Sequence, residues 1–396
     1  MVKPLLLAFM AAATQTSMAA VLQTSINFTD VTKTNLPTGL IGRCMDAAAH
    51  DFDKDGDIDL MLAMEFAPNI LLTNNGKGVF TRTKALPNNR HDSEDIAVAD
   101  FNKDGWLDAF IVSEDDKVNE LYLNRGDGTF ADASSRIKFT GESNAVVTAD
   151  LNGDGANDII IGNVGPLGVL INNGKGYFKD ESKQRVPNES YRVQDLTLID
   201  VDGDGDLDLL TGDEVRNHLF INDGKGFFKD ETAKRLPKYH DVTREVISAD
   251  VDNDGDNDIY YANIASNPQN AKNRLLLNNG KGYFTEVTNS HLLTNPGQDN
   301  FTARFVDLNN DKAIALLVPS STINGTNNGR YRAYINTGDG HFSEAQLSPP
   351  WPPGNGFDIS AADFNGDGKT DFYLCNRARR RLTPDNGGVD ALMFGR

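Results

Sequence analysis

The sequence predicts an all-β fold, a seven-bladed β-propeller of four-stranded antiparallel blades. Three observations predict it. An acidic loop of the form D-x-[DN]-x-D-G-x-x-D recurs about every 50 residues. A glycine turn of the form N-x-G-x-G recurs between successive acidic loops. Short apolar runs bounded by Gly, Asn and Asp separate the two signals, as in a strand meander.

Bulk properties agree. The chain has 396 residues, 38 basic against 57 acidic, for a net charge of -19, and a mean hydropathy of -0.43. Such a surface repels a phosphate backbone, so nucleic-acid binding is excluded. The 36 glycines, and the lack of any long run with apolar residues at helical spacing, argue against a helix-rich fold. Length alone suggests two or three domains, but the repeat overrides it and predicts one domain over residues 20–396.

At the N-terminus, Lys3 precedes the apolar run from Leu5 to Ala13, and Ser17-Met18-Ala19 follows as a small-x-small site. Residues 1–19 therefore read as a secretory signal peptide. The apolar run is too short for a bilayer span of about 20 residues. A secreted or periplasmic, monomeric protein without membrane insertion is expected.

The acidic loops begin at Asp51, Asp100, Asp150, Asp200, Asp250 and Asp363, with a broken copy at Asp307. In the second unit, Ile96–Ala99 precedes the loop and Leu107–Val112 follows it. After a variable polar segment come Leu121–Leu123, the turn Asn124–Gly128, and a last short run Thr129–Ala133. The turn recurs at Asn74–Gly78, Asn172–Gly176, Asn222–Gly226, Asn278–Gly282 and Asn336–Gly340. Four strands per unit result. Phe28-Thr29-Asp30 reads as a fourth strand with no unit before it. Ala391–Phe394 reads as a third strand with no fourth. The N-terminal strand should complete the last blade and pair two open edges. Cys44 and Cys375 would then lie in neighbouring blades, either as a disulfide closing a long loop or as two buried thiols.

The acidic loops have the division of labour that a hard divalent cation requires. Ca²⁺ takes six to eight oxygens. Position 1 is Asp51, Asp100, Asp150, Asp200, Asp250 or Asp363, and position 5 is Asp55, Asp104, Asp154, Asp204, Asp254 or Asp367. Position 9 is Asp59, Asp108, Asp158, Asp208, Asp258 or Asp371. Position 3 is Asp53, Asn102, Asn152, Asp202, Asp252 or Asn365. Position 7 is unrestricted (Asp57, Trp106, Ala156, Asp206, Asp256, Lys369), as expected where only the backbone carbonyl ligates. An EF-hand needs Glu at position 12, where this chain has Leu62, Ile111 or Thr211, and flanking helices. Six Ca²⁺ sites are expected. The sixth loop carries Lys312 for glycine and Ala315 at position 9, so it should be empty.

With loop, turn and period established, the chain resembles the FG-GAP/VCBS repeat family, and its blades are similar to those in the head of integrin α chains. The resemblance covers essentially residues 26–396. It implies a seven-bladed propeller with Ca²⁺ between the first and second strands. Such propellers serve adhesion, carbohydrate binding and sometimes lyase chemistry.

The variable loops lie opposite the acidic loops, and a ligand is expected there. Five residues before an acidic loop stand Asp46, Asp95, Asp195, Glu245 and Asp358, which would ring the mouth of a central channel. Nearby lie Arg43, Arg192, Arg244, His91, Tyr191, Tyr239, His240 and Phe357. This mixture suits a sugar or a peptide; pairing of the acids with arginines or loop amides is the plainer alternative. Arg125-Gly126-Asp127 spells an adhesion tripeptide but occupies the recurring turn. Motifs for a serine hydrolase, a zinc protease or a phosphate loop are absent from the sequence. The expected function is a non-catalytic binding or adhesion module for an extracellular or cell-surface protein or glycan. A polysaccharide lyase using His91, Tyr191, Tyr239 or His240 as base is the alternative.

Overall fold

A computed structural model describes residues 25–40, 42–264, 272–292, 300–308, 311–320, 330–352, 354, 356–376 and 389–396. Residues 1–19, read above as a signal peptide, lie outside them. The described chain is all-β, with helix confined to single turns. Every acidic loop joins two strands, as the absence of helical patterning at its flanks requires.

Each repeat unit forms an antiparallel meander. The first runs Cys44–His50, Asp59–Ala67, Ile70–Thr73, Thr81–Arg82. The second runs His91–Ala99, Asp108–Ser113, Glu120–Asn124, Phe130–Asp132. The third runs Ser143–Ala149, Asp158–Gly165, Gly168–Asn172, Phe178–Asp180. The fourth runs Tyr191–Ile199, Asp208–Asp213, His218–Asn222, Phe228–Asp230. The fifth runs Val242–Ala249, Asp258–Ile264, Arg274–Leu277, Thr285–Glu286. The sixth runs Arg304–Val306, Ala315–Ser320, Arg330–Asn336, Phe342–Ser348. The seventh runs Gly356–Ala362, Asp371–Asn376, Ala391–Gly395. Its fourth strand is Ser25–Asp30, paired antiparallel through Phe28 and Gly395. The same N-terminal strand pairs in parallel with Phe342–Ser348 of the sixth unit. One segment thus covers two edges that would otherwise be open to aggregation.

The apolar cores lie between units. Second strands are buried almost end to end, as in Asp108–Ser113, because both faces meet a neighbour. Leu60, Leu62 and Cys44 of the first unit cluster with Phe364, Tyr373 and Cys375 of the seventh. Other clusters join the first to the second unit, the second to the third, and so on to the seventh. Cys44 and Cys375 form a disulfide across the first-to-seventh contact, with 5.1 Å between Cα atoms.

Single helical turns after the fourth strands went unforeseen. They occupy Thr32–Asn35, Ser134–Arg136, Ser182–Arg185, Thr232–Arg235 and Thr288–His291. In the first four, an aspartate two residues before the Ser or Thr accepts its backbone N–H, as Asp180 does from Ser182 at 3.0 Å; Glu286 takes that place before Thr288. The D-x-[ST] spacing is the sequence signal for them.

Candidate functional site

The acidic loops share one hydrogen-bond plan. The position-1 carboxylate accepts the N–H of position 6 at 2.7–3.1 Å. The position-5 carboxylate accepts the N–H of position 7 at 2.8–3.0 Å. Position 6 needs positive φ, for example +96° at Gly255, which glycine adopts without strain. Position 9 is buried. Asp108 is typical: its two oxygens accept the N–H of Phe101 at 3.0 Å and of Asn124 at 2.8 Å, so it ties the loop to the turn. Burial pushes Asp59, Asp108, Asp208 and Asp258 up to about 7, and Asp158 and Asp371 to about 6.

The residues present fit a hard cation. Three carboxylates converge within 4.8 Å in each of three loops: Asp51, Asp53 and Asp59; Asp200, Asp202 and Asp208; Asp250, Asp252 and Asp254. These are the loops with Asp at position 3. Where Asn102, Asn152 or Asn365 stands there, its amide oxygen accepts the position-5 N–H, as a carboxylate oxygen of Asp53 and Asp252 also does. Buried oxygens of Asp51 and Asp202 have no hydrogen-bond partner, which is unfavourable unless a cation meets them. The sixth loop keeps the turn without the glycine. Lys312 adopts φ +70° and donates its N–H to Asp307 at 2.9 Å. Ala315 supplies no carboxylate.

On the opposite face the first strands enclose a cavity of about 530 Å³. Six first strands carry a bulge at the same place, one residue before the acidic column. The bulged residues, Met45, Glu94, Asn144, Gln194, Arg244 and Phe357, all line the cavity. Sequence reasoning used only Arg244 and Phe357 of this column; a constant offset of six residues before each acidic loop is the signal that locates the others.

Asp46, Asp95, Asp195, Glu245 and Asp358 also line the cavity, yet each is committed to the next unit. They accept the backbone N–H of Ile96, Val146, Val246, Ala303 and Ala47 at 3.1, 2.7, 2.7, 3.1 and 3.2 Å. One oxygen of each is therefore a tie between units. Arg304 reaches in to donate to Asp358 at 2.8 Å and to the Ile359 carbonyl. Burial pushes Asp95 to about 6 and Glu245 to about 7, and raises Asp46 and Asp195; neighbouring carboxylates add to the effect, Asp358 on Asp46 and Glu245 on Asp195.

Several predicted ligand residues lie elsewhere. Tyr191 is buried between the third and fourth units, edge-on to His218 at 4.9 Å, because strand alternation turns Tyr191 and Val193 into the core. Arg192 points outward to Glu214 at 3.3 Å. His240 is an exposed loop residue outside the cavity lining. Tyr239 packs under Arg274 at 3.5 Å, His91 pairs with Asp116, and Arg43 donates to the Glu65 carbonyl. Arg244 does reach the cavity, beside Glu214 and over the Phe301 ring. The Arg125-Gly126-Asp127 tripeptide is a turn, with Gly126 at φ +71° and Asp127 accepting the Thr129 N–H.

No curated protein matches this chain. Among solved structures it is similar to an Agrocybe aegerita lectin whose structure concerns specific recognition of non-reducing terminal N-acetylglucosamine. The identity is 18%, coverage 89% of each chain, and the TM-score 0.53. It is also similar to BBS1N in complex with ARL6DN, at 10% identity, 93% and 97% coverage, and a TM-score of 0.58. At such identities the likeness speaks for a β-propeller-like fold. The model of the FG-GAP-like repeat matches residues 51–111, 100–161, 150–211, 200–261, 250–318 and 322–374. Each match runs between neighbouring strand pairs of the meanders described above, and together they span most of the chain, which belongs to the FG-GAP-like repeat family.

Proposed function

We propose that this chain is an exported, calcium-stabilised propeller of seven blades that binds glycans without turning them over. The observation that carries the binding reading is the bulged column. It presents Glu94, Asn144, Gln194 and Arg244 to one cavity, beside the stacked rings of Phe301 and Phe357, 4.7 Å apart. Polar acceptors and donors around an aromatic wall suit the hydroxyls and apolar faces of a sugar. The lectin neighbour supports the class of ligand only by fold. Ca²⁺ in six acidic loops would be held by positions 1, 3, 5 and 9 and would neutralise the clustered carboxylates. Seven meanders, with the N-terminal strand completing the last, support the blade count. Export rests on the residue 1–19 pattern.

A glycan array with Ca²⁺ and with EGTA tests this reading. Selective binding that Gln194→Ala abolishes, with melting temperature unchanged, is expected. Unsaturated sugar products absorbing in the near ultraviolet would instead make the chain a lyase.

A further inference from the structure

Four acidic side chains meet far from the acidic loops: Glu65, Asp92 and Glu114, which line the cavity, and the exposed Asp115 beside them. Asp92 opens the first strand of the second unit, and the loop of that unit lies at the strand's other end. Glu114 and Asp115 follow the second strand, Asp108–Ser113. Carboxylate oxygens of Asp92, Glu114 and Asp115 lie within 4.8 Å of one another. Glu65 of the first unit sits directly opposite Asp92 in the strand register. Like charges in that position repel. Asp92 is 2% exposed and Glu65 6%.

The second observation is an orphan atom. One oxygen of Asp92 accepts the Asp115 N–H at 3.3 Å. The other, Oδ1, is buried without any hydrogen-bond partner. Lys117 is directed to Glu142 at 2.8 Å and Arg43 to the Glu65 carbonyl at 3.1 Å, while Arg244, paired with Glu214 at 3.2 Å, is the cation whose charge reaches Glu114. A buried, unsatisfied carboxylate oxygen beside three further acids is strongly unfavourable. It becomes favourable around a metal ion.

We propose that Asp92, Glu114 and Asp115 hold a divalent, oxygen-preferring cation of the Ca²⁺ class at the cavity rim. All donors are carboxylate oxygens, which suits Ca²⁺ over a softer metal. Three protein carboxylates leave coordination to water or to oxygens of a ligand. That last role rests on the binding reading above; the ion itself does not.

Elemental analysis after equilibrium dialysis of the full chain against saturating Ca²⁺ tests it. Asp92→Asn combined with Glu114→Gln should bind one ion fewer per chain than the wild type. Asp200→Asn, in an acidic loop, should remove a different ion, so that the two losses add. If the acidic loops hold nothing, the rim variant still takes the count from one to zero. Equal counts in the wild type and the rim variant overturn the proposal. Asp115→Asn alone touches an exposed side chain and spares the core. It should weaken the loosest class of Ca²⁺ site at least several-fold, and an unchanged isotherm also overturns the proposal. In EGTA the double variant should melt no lower than the wild type, since the Asp92–Glu65 repulsion is relieved.

Discussion

At the scale of single residues, the position-9 aspartates serve two demands that mutation can separate. Asp108 caps two buried N–H groups whether or not a cation is bound. Asp104, on the exposed loop, accepts the Trp106 N–H and the Asn102 side-chain amide, neither of them buried. Leaving a buried amide unsatisfied costs about 1–3 kcal/mol. Asp108→Ala should therefore destabilise by about 3 kcal/mol in EGTA as well as in Ca²⁺, measured by denaturant melts. Asp104→Ala should lose stability mainly in Ca²⁺. Equal losses for both variants in EGTA would contradict that division. Glu245 gives a pH signature. Its folded value is pushed up to about 7 by burial, and then by Asp358, against about 4.3 in an unfolded chain. Between those values the unfolded chain has lost the proton and the folded cavity keeps it, so stability falls as pH rises from about 4 to 7. Glu245→Gln retains an acceptor for the Ala303 N–H. It should flatten the fall and raise the melting temperature at pH 8; parallel wild-type and variant curves would refute the assignment.

At the scale of elements, the turn and the small helix act as struts between units. In five of the six N-x-G-x-G turns, Asn222 excepted, the first Asn donates its side-chain amide to a carbonyl in the previous unit's acidic loop. Asn172 reaches Phe101 at 2.8 Å, and Asn74 reaches Phe364 across the first-to-seventh contact at 2.8 Å. Arg136, Arg185 and Arg235 of the helical turns reach the next unit's turn. Arg185 donates to Lys225 and lies over Phe227 at 4.6 Å. Asn172→Ala removes two amide bonds, to Phe101 and to Asn157. It should cost about 2 kcal/mol, since the Phe101 carbonyl is buried and the Asn157 carbonyl half-buried. Arg185→Ala, which loses an i,i+4 pair with Glu181 and a solvent-exposed bond to the Lys225 carbonyl, should cost about 1 kcal/mol. A reversed ranking in urea melts would show that the asparagine is only a turn former. Motif spacing made the turns, the acidic loops and the four-strand unit legible, because each is a local device repeated at constant offset. What the turn Asn bonds to was not legible, because its partner lies about 70 residues away. Separations of 50–51 residues likewise hid the ties from Asp46, Asp95 and Asp195 to the next first strand. Tyr191 misled because one step along a strand exchanges core for surface, and position near a loop does not say which side a ring takes.

At the scale of the whole molecule, the ring is held at one seam by devices from distant parts of the sequence. Ser25–Asp30 pairs with Ala391–Gly395, Asn74 bonds Phe364, Asp358 accepts the Ala47 N–H, and Cys44 is joined to Cys375. Elsewhere successive units are also linked by short stretches of chain, whereas here a sequence separation of 331 residues must be closed. Closing so long a loop in the unfolded chain is worth on the order of 5 kcal/mol in the chain-entropy account. Cys44→Ser with Cys375→Ser should therefore lower stability by about 2–5 kcal/mol, read as a drop in melting temperature that a reducing agent reproduces in the wild type and does not deepen in the variant. Chelation acts through a different term. Six bound Ca²⁺ would add twelve positive charges to a chain of net charge -19 and stabilise the folded state by mass action. EGTA should thus lower the melting temperature of both proteins. Because the seam and the loops share no ligands, the two losses should be additive within about 0.5 kcal/mol. If EGTA costs the cysteine-free variant much more than it costs the wild type, the ring opens at the seam first, and calcium is holding together what the disulfide would otherwise hold. If EGTA changes neither melt, the acidic loops are turns and nothing more.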